Sequence, residues 1–206
     1  MLGRTARTGP RTQALTSLTA IVALGLIWAV SGDARIPATK NTRIIVNESV
    51  GAVSFGTTRT EVRRAWGAPS QCWELSKINA SCTWRERRAY GPGGLFALYF
   101  QRRVYNMSVG VGFRARGVPA FEGPLMRWRT AEGVGLGTPL ARVRRAYPGG
   151  KPGSNRGSWL VEATTESERR STTFETFGYG RVIAIFLEAC PTAPPNPGQG
   201  KPAACR

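Results

Sequence analysis

Val53–Trp66 reads V-S-F-G-T-T-R-T-E-V-R-R-A-W, and Val134–Tyr147 reads V-G-L-G-T-P-L-A-R-V-R-R-A-Y. The offset is 81 residues and seven of the fourteen positions are identical: Val53/Val134, Gly56/Gly137, Thr57/Thr138, Val62/Val143, Arg63/Arg144, Arg64/Arg145 and Ala65/Ala146. Phe55/Leu136 and Trp66/Tyr147 are conservative pairs. A match at a fixed offset sets the architecture before any single residue does, and this one predicts two tandem repeats.

Each copy reads as a short strand or turn, a glycine, then a helix start. Gly56 and Gly137 suit a backbone position with unusual dihedrals just before a helix. Thr57 and Thr138 follow as N-caps, which puts Pro139 at the first helical position, where a missing N–H is harmless. In the first copy Thr58 and Glu61 offer a capping box as the alternative. Val62, Ala65 and Trp66, like Val143, Ala146 and Tyr147, fall at i, i+3 and i+4 and share one face, read as core. The Arg63-Arg64 and Arg144-Arg145 pairs point elsewhere and are read as a solvated face. Gly67 and Pro148-Gly149 end the helices.

The chain of 206 residues carries a formal net charge of +17, almost all of it arginine: Lys40, Lys77, Lys151 and Lys201 are the only lysines. Such a surface attracts polyanions in a salt-sensitive way. There is no histidine, and Asp33 is the only aspartate. Ser-His-Asp and Cys-His catalysis, most zinc and non-haem iron sites, and aspartate-based phosphoryl transfer therefore drop out. Gly91-Pro92-Gly93-Gly94 lacks the Lys-Ser/Thr of a phosphate loop and reads as a turn. The expectation is a protein that is not an enzyme and uses no cofactor or metal.

Residues 1–34 form an export leader. Arg4, Arg7 and Arg11 precede the apolar run Ala14–Val30, and small residues follow. The run suits either a signal peptide or an uncleaved N-terminal membrane anchor with its basic end inside. Residues 35–50 are a linker with a short strand at Ile44–Val46. Repeat 1 occupies residues 51–115: its helix, then strands Gln71–Leu75, Ser81–Arg85, Leu95–Gln101 and Val104–Val111, with a tight turn at Arg102-Arg103. Repeat 2 occupies residues 116–189: its helix, Ser158–Thr164, then Ser171–Phe177 and Arg181–Leu187 around Gly178-Tyr179-Gly180. Between the repeats, Arg114, Arg116, Arg127 and Arg129 surround Pro119, Phe121, Pro124 and Trp128. Basic residues among aromatics can mark polyanion binding; here they are read as a connector whose aromatics pack on the sheets. Residues 190–206 are a Pro/Gly-rich tail that builds no core.

Four cysteines in an exported chain imply a disulfide framework with three pairings to choose from. Cys72 and Cys82 sit in neighbouring strands of one predicted hairpin, which favours that pair and leaves Cys190 with Cys205. A short loop closed this way contributes about 3 kcal/mol in the chain-entropy model.

The pattern V-x-[FL]-G-T-x(4)-V-R-R-A-[WY], followed by strands bearing Cys and Trp and a hairpin ending F-x(3-4)-R-V, resembles the repeat of the beta-lactamase inhibitor protein family. It is also similar to the SmpA/OmlA outer-membrane assembly domain. The resemblance covers residues 50–188. It implies an α+β fold of two tandem repeats, each a short helical segment packed on an antiparallel sheet of about four strands, with the sheets forming one concave binding surface. The chain departs from the SmpA/OmlA type in carrying two copies and no lipoprotein cysteine, and from the inhibitors in its basic charge. No contact residue carries over individually.

On that fold, aromatics of the exposed strand face line the concavity: Trp73, Trp84, Tyr90, Tyr99 and Tyr105 in repeat 1, and Trp159, Phe174 and Tyr179 in repeat 2. Aromatics are favoured anchors at protein interfaces. The expected partner is another exported or envelope protein, which the chain holds or inhibits. The alternative is an envelope-associated basic protein that binds an anionic wall polymer or lipid headgroups. No nucleic acid is expected, since an exported protein rarely meets it.

Overall fold

A computed structural model describes residues 40–85, 93–155, 157–165 and 168–191. The leader, Tyr90, Cys205 and the rest of the tail lie outside the described residues.

Three two-residue strands, β1 (Ile44–Ile45), β2 (Ser49–Val50) and β3 (Val53–Ser54), make a small antiparallel sheet in that order. Gly51 turns the chain between β2 and β3 with φ +63, and an added Cβ would sit 2.8 Å from the Asn41 carbonyl oxygen and 2.9 Å from the Trp128 ring. Only glycine fits that approach.

Helix α1 (Arg59–Trp66) starts one residue later than Thr57 as N-cap would require. Thr58 caps it: the Glu61 N–H donates to Thr58 Oγ1, and the Thr58 N–H donates to Glu61 Oε2 at 2.8 Å. The capping-box alternative is the one the chain uses. Thr57 turns its hydroxyl backwards to accept from the Ser54 N–H at 3.2 Å, as Thr138 accepts from the Gly135 N–H at 3.0 Å. Helix α2 (Leu140–Ala146) has Pro139 as its N-cap with ψ 140, so the proline is extended and stands outside the helix rather than at its first position. A proline side chain accepts no hydrogen bond, and α2 starts without a side-chain cap.

The remaining strands are β4 (Gln71–Glu74), β5 (Asn79–Arg85), β6 (Gly94–Phe100), β7 (Arg103–Gly110), β8 (Lys151–Pro152), β9 (Ser158–Thr164), β10 (Glu168–Glu175) and β11 (Ala184–Pro191). They form one eight-stranded antiparallel sheet, ordered β4-β5-β6-β7-β11-β10-β9-β8. The class is α+β with antiparallel sheets. Separate sheets of about four strands are not what forms: β7 and β11 pair from Gly110↔Ala184 to Asn106↔Glu188 and join all eight. The β6–β7 turn falls at Gln101 and Arg102, both at positive φ (50 and 65), one residue before the expected place. Two left-handed residues match the strands' twist. Strand β11 also runs to Pro191, into the segment expected to be tail.

Period-2 alternation sorts each strand's side chains to two faces. Trp84, Leu95, Val109, Ile185, Phe174 and Trp159 stand in one row across five neighbouring strands and β9. All but Trp159 are at most 1% exposed. The helices cover this face. Trp66 of α1 meets Trp84 edge-on, with centroids 5.1 Å apart, and Tyr147 after α2 stacks on Phe174 at 5.3 Å. Ile44, Val50 and Val53 of the small sheet and Trp128 of the connector belong to the same core. The connector's aromatics do pack inward.

Several hydrogen bonds occur twice. The Gly56 N–H donates to the Val104 carbonyl and the Val104 N–H to that of Thr57. The Gly137 N–H donates to the Val182 carbonyl and the Val182 N–H to that of Thr138. The first pair ties the start of α1 to β7, and the second ties the start of α2 to the residues just before β11.

Candidate binding face

The sheet's second face is not covered by the helices. Phe96, Ser108, Phe186, Thr173 and Leu160 make one row on it, and Trp73, Ser81, Leu98, Asn106, Glu188, Ser171 and Glu162 the next. A groove of about 610 Å³ opens there, lined by Trp73, Phe96, Phe113, Phe177, Tyr179 and Phe186 among others. The sheet supplies its floor. Its wall is the turn between β10 and β11, where Phe177 and Tyr179 are 53% and 49% exposed.

That turn is held in place. The Tyr179 hydroxyl donates to the Gly117 carbonyl at 2.9 Å, and its ring lies 6.5 Å from that of Phe113. Gly178 and Gly180 carry positive φ, as turn glycines do. Phe177 also sits at φ 44, a left-handed conformation that strains a residue with a Cβ.

A second cavity of about 500 Å³ shares Phe177 and Phe186 with the groove and is polar where the groove is apolar. Glu162, Glu175 and Glu188 line it, with Arg169 and Asn106. Burial pushes the Glu175 carboxyl up, against a hydrogen bond from Asn155 at 3.1 Å. Burial also pushes Glu188 up, against the Asn106 hydrogen bond and the Arg169 charge. Lys151 pairs with Glu162 at 2.5 Å.

Of the eight aromatics expected on the concave face, the groove takes two, Trp73 and Tyr179, and Tyr90 lies outside the described residues. Trp73 lines it at 36% exposure. Trp84 does not: it is fully buried on the helix side, its Nε1 donating to the Gly67 carbonyl at 3.0 Å. Tyr99 is likewise core at 1% exposure, and burial pushes its hydroxyl up to about 12. Trp159 lies in the helix-side row, donates to the Tyr147 carbonyl at 2.9 Å and carries Arg144 5.3 Å above its ring. Tyr105 is half-buried against Phe100, edge-on at 6.3 Å, and is not part of the groove lining. Phe174 is core, whereas Tyr179 is in the groove wall. Phe96, Phe113, Phe177 and Phe186 were missed. Strand parity carried a signal for two of them, because Phe96 and Phe186 alternate with the buried Leu95 and Ile185.

Cys72 and Cys82 are directly opposite in the β4–β5 ladder and form a disulfide. Cys190 is disulfide-bonded; its expected partner, Cys205, lies outside the described residues. Among the described residues, no group of three or more His, Cys, Asp or Glu side chains is placed to hold a metal ion, and no helix is long and apolar enough to cross a membrane.

No family model and no curated protein matches the chain. Among solved structures it is similar to an extracellular protein containing a SCP domain from Bacillus anthracis str. Ames, at 11% identity and a TM-score of 0.38. That match covers 72% of this chain and 51% of the other, so this chain spans about half that protein's length. The Cys72–Cys82 disulfide fits a protein exported to an oxidising compartment.

Proposed function

We propose that this is an exported, non-enzymatic binding protein of two tandem helix-plus-four-strand repeats, of the beta-lactamase inhibitor protein type, that engages another exported protein through the open face of its sheet. The observation that carries this reading is the aromatic groove. Six aromatic side chains line it, and two of them stand half-exposed on an anchored turn. Soluble proteins seldom leave such a patch uncovered without a partner. Aromatics that bind in one fixed geometry lose little entropy on association. The carboxylate-lined cavity alongside adds polarity to the fit. The partner presents an apolar side chain to the groove with a cationic one next to it.

The test is capture. The oxidised protein is immobilised, exposed to secreted and envelope fractions, and eluted with a salt gradient. A single protein retained at high salt, and lost when Trp73 and Phe177 are both alanine in a folded variant, supports the reading. Unchanged retention by that variant sinks it.

A second reading has its own observation. Arg63, Arg64, Arg144 and Arg145 are all exposed on the helices, across the sheet from the groove. They suit an anionic wall polymer or lipid headgroups. Elution of polyanion alone, at moderate salt, would favour this reading.

A further inference from the structure

A third cavity, of about 510 Å³, lies at the start of α1 and shares no lining residue with the groove. Arg59, Lys77 and Arg102 line it, with Glu74 as its one carboxylate. Arg59 Nη1 donates to Glu74 Oε1 at 2.6 Å, and Glu74 is 65% exposed. The cavity therefore keeps a cationic balance.

Tyr99, 1% exposed, also lines it. Its hydroxyl is buried and has no hydrogen-bond partner among the described residues; the same is true of Arg59 Nε and Asn79 Oδ1, again from lining residues. Buried polar atoms are rarely left unpaired, because each forfeits its hydration. Two donors and one acceptor thus come from residues that line the cavity, which Lys77 and Arg102 line as further cations. The guanidiniums of Arg59 and Arg63 act on the Tyr99 oxygen, so the hydroxyl faces positive charge.

We propose that this cavity binds a phosphate group, accepting hydrogen bonds from Tyr99 Oη and Arg59 Nε, neutralised by Lys77 and Arg102, and donating its protonated oxygen to Asn79 Oδ1. A protonated phosphate matches both the donors and the acceptor. Sulfate carries no proton at neutral pH and leaves Asn79 unanswered. Phosphate is therefore the preferred ion. The site is independent of the sheet groove, so either can fail alone.

Calorimetric titration of the purified protein with inorganic phosphate, against sulfate and chloride at matched ionic strength, tests this. Saturable phosphate binding that exceeds sulfate binding is expected. Tyr99→Phe should weaken it about tenfold or more, as should Lys77→Met, since each loses a charge-assisted contact. Trp73→Ala should leave it unchanged. Without phosphate, Tyr99→Phe should be as stable as the parent or more so, because it removes an unpaired buried hydroxyl. Glycerol phosphate run alongside separates sources: saturation by both assigns a phosphomonoester terminus, and saturation by inorganic phosphate alone assigns the free ion. The absence of saturable binding, or equal affinity in parent and Lys77→Met, overturns the proposal. So does a Tyr99→Phe variant that binds as the parent does yet is less stable, which would show the hydroxyl held by water.

Discussion

Arg103 and Arg181 make the same hydrogen bond at the two helix starts. Arg103 Nη1 donates to the Gly56 carbonyl at 2.8 Å, and Arg181 Nη1 donates to the Gly137 carbonyl at 3.0 Å. Both arginines are exposed, and each makes an isolated antiparallel bridge to the residue before a helix, Thr58↔Arg103 and Pro139↔Arg181. Each bond pins the carbonyl of a positive-φ glycine. Arg103→Met and Arg181→Met should each destabilise by about 1 kcal/mol. The double variant should lose the sum, since the two share no partner. Urea midpoints check this; a strongly non-additive pair would mean the two bonds are coupled.

Trp84 and Trp73, both expected at the binding face, should separate cleanly. Trp84→Ala empties a fully buried site against Trp66 and should cost about 3–5 kcal/mol. Trp73→Ala, at a partly exposed edge position, should stay within about 0.5 kcal/mol while weakening partner capture. Denaturation and capture, measured on the same preparations, decide it.

Phe177 trades stability for exposure. Phe177→Gly relieves a left-handed residue and gives up little burial, so it should stabilise by roughly 0.5–1 kcal/mol. The same change should lower retention of the partner. A destabilised Phe177→Gly protein would show that the ring's packing outweighs the strain.

Glu188 sets a pH dependence. Burial raises its folded pKa, so the folded state holds the proton more tightly than the unfolded state. That contribution is present below the ordinary carboxylate value and lost as pH rises through the raised one. Glu188→Gln cannot ionise. It should be more stable than the parent at neutral pH, with the gain shrinking in acid. Thermal midpoints across the acid-to-neutral range test the sign.

The Cys72–Cys82 bond closes a loop of sequence separation 10. Replacing both cysteines with serine should cost about 3 kcal/mol in the chain-entropy model. Reductant should lower the parent's urea midpoint and leave that of the double variant closer to unchanged.

Much of the fold could be read along the chain because its causes are local. Gly56 and Gly137 mark the helix starts, Val62 with Trp66 marks the buried face of α1 and Val143 that of α2, and Ser158–Thr164 is a strand at its expected bounds. The cysteine pair followed from two neighbouring strands. Details of capping did not, because Thr57 and Thr138 spend their hydroxyls on the turn behind them.

The candidate site was less legible. Alternation assigns Leu95 and Phe96 to opposite faces, and Trp84 and Thr83 likewise, but it does not say which face the helices cover. The preference of interfaces for aromatic anchors sent Trp84, Tyr99 and Trp159 to the surface. The largest side chains instead fill the helix–sheet interface, where burial gains most.

By itself, then, the sequence determined the α+β class and the places of the helices and most of the strands, and it favoured the Cys72–Cys82 bond, all of them set by neighbours along the chain or across one hairpin. Only the tertiary structure decided that β7 pairs with β11 to make a single sheet, that Phe96 and Phe186 share a floor, and that the turn of Phe177 and Tyr179 reaches Gly117 to wall it. Those contacts join residues far apart in the chain, and their energy exists only once both segments have folded.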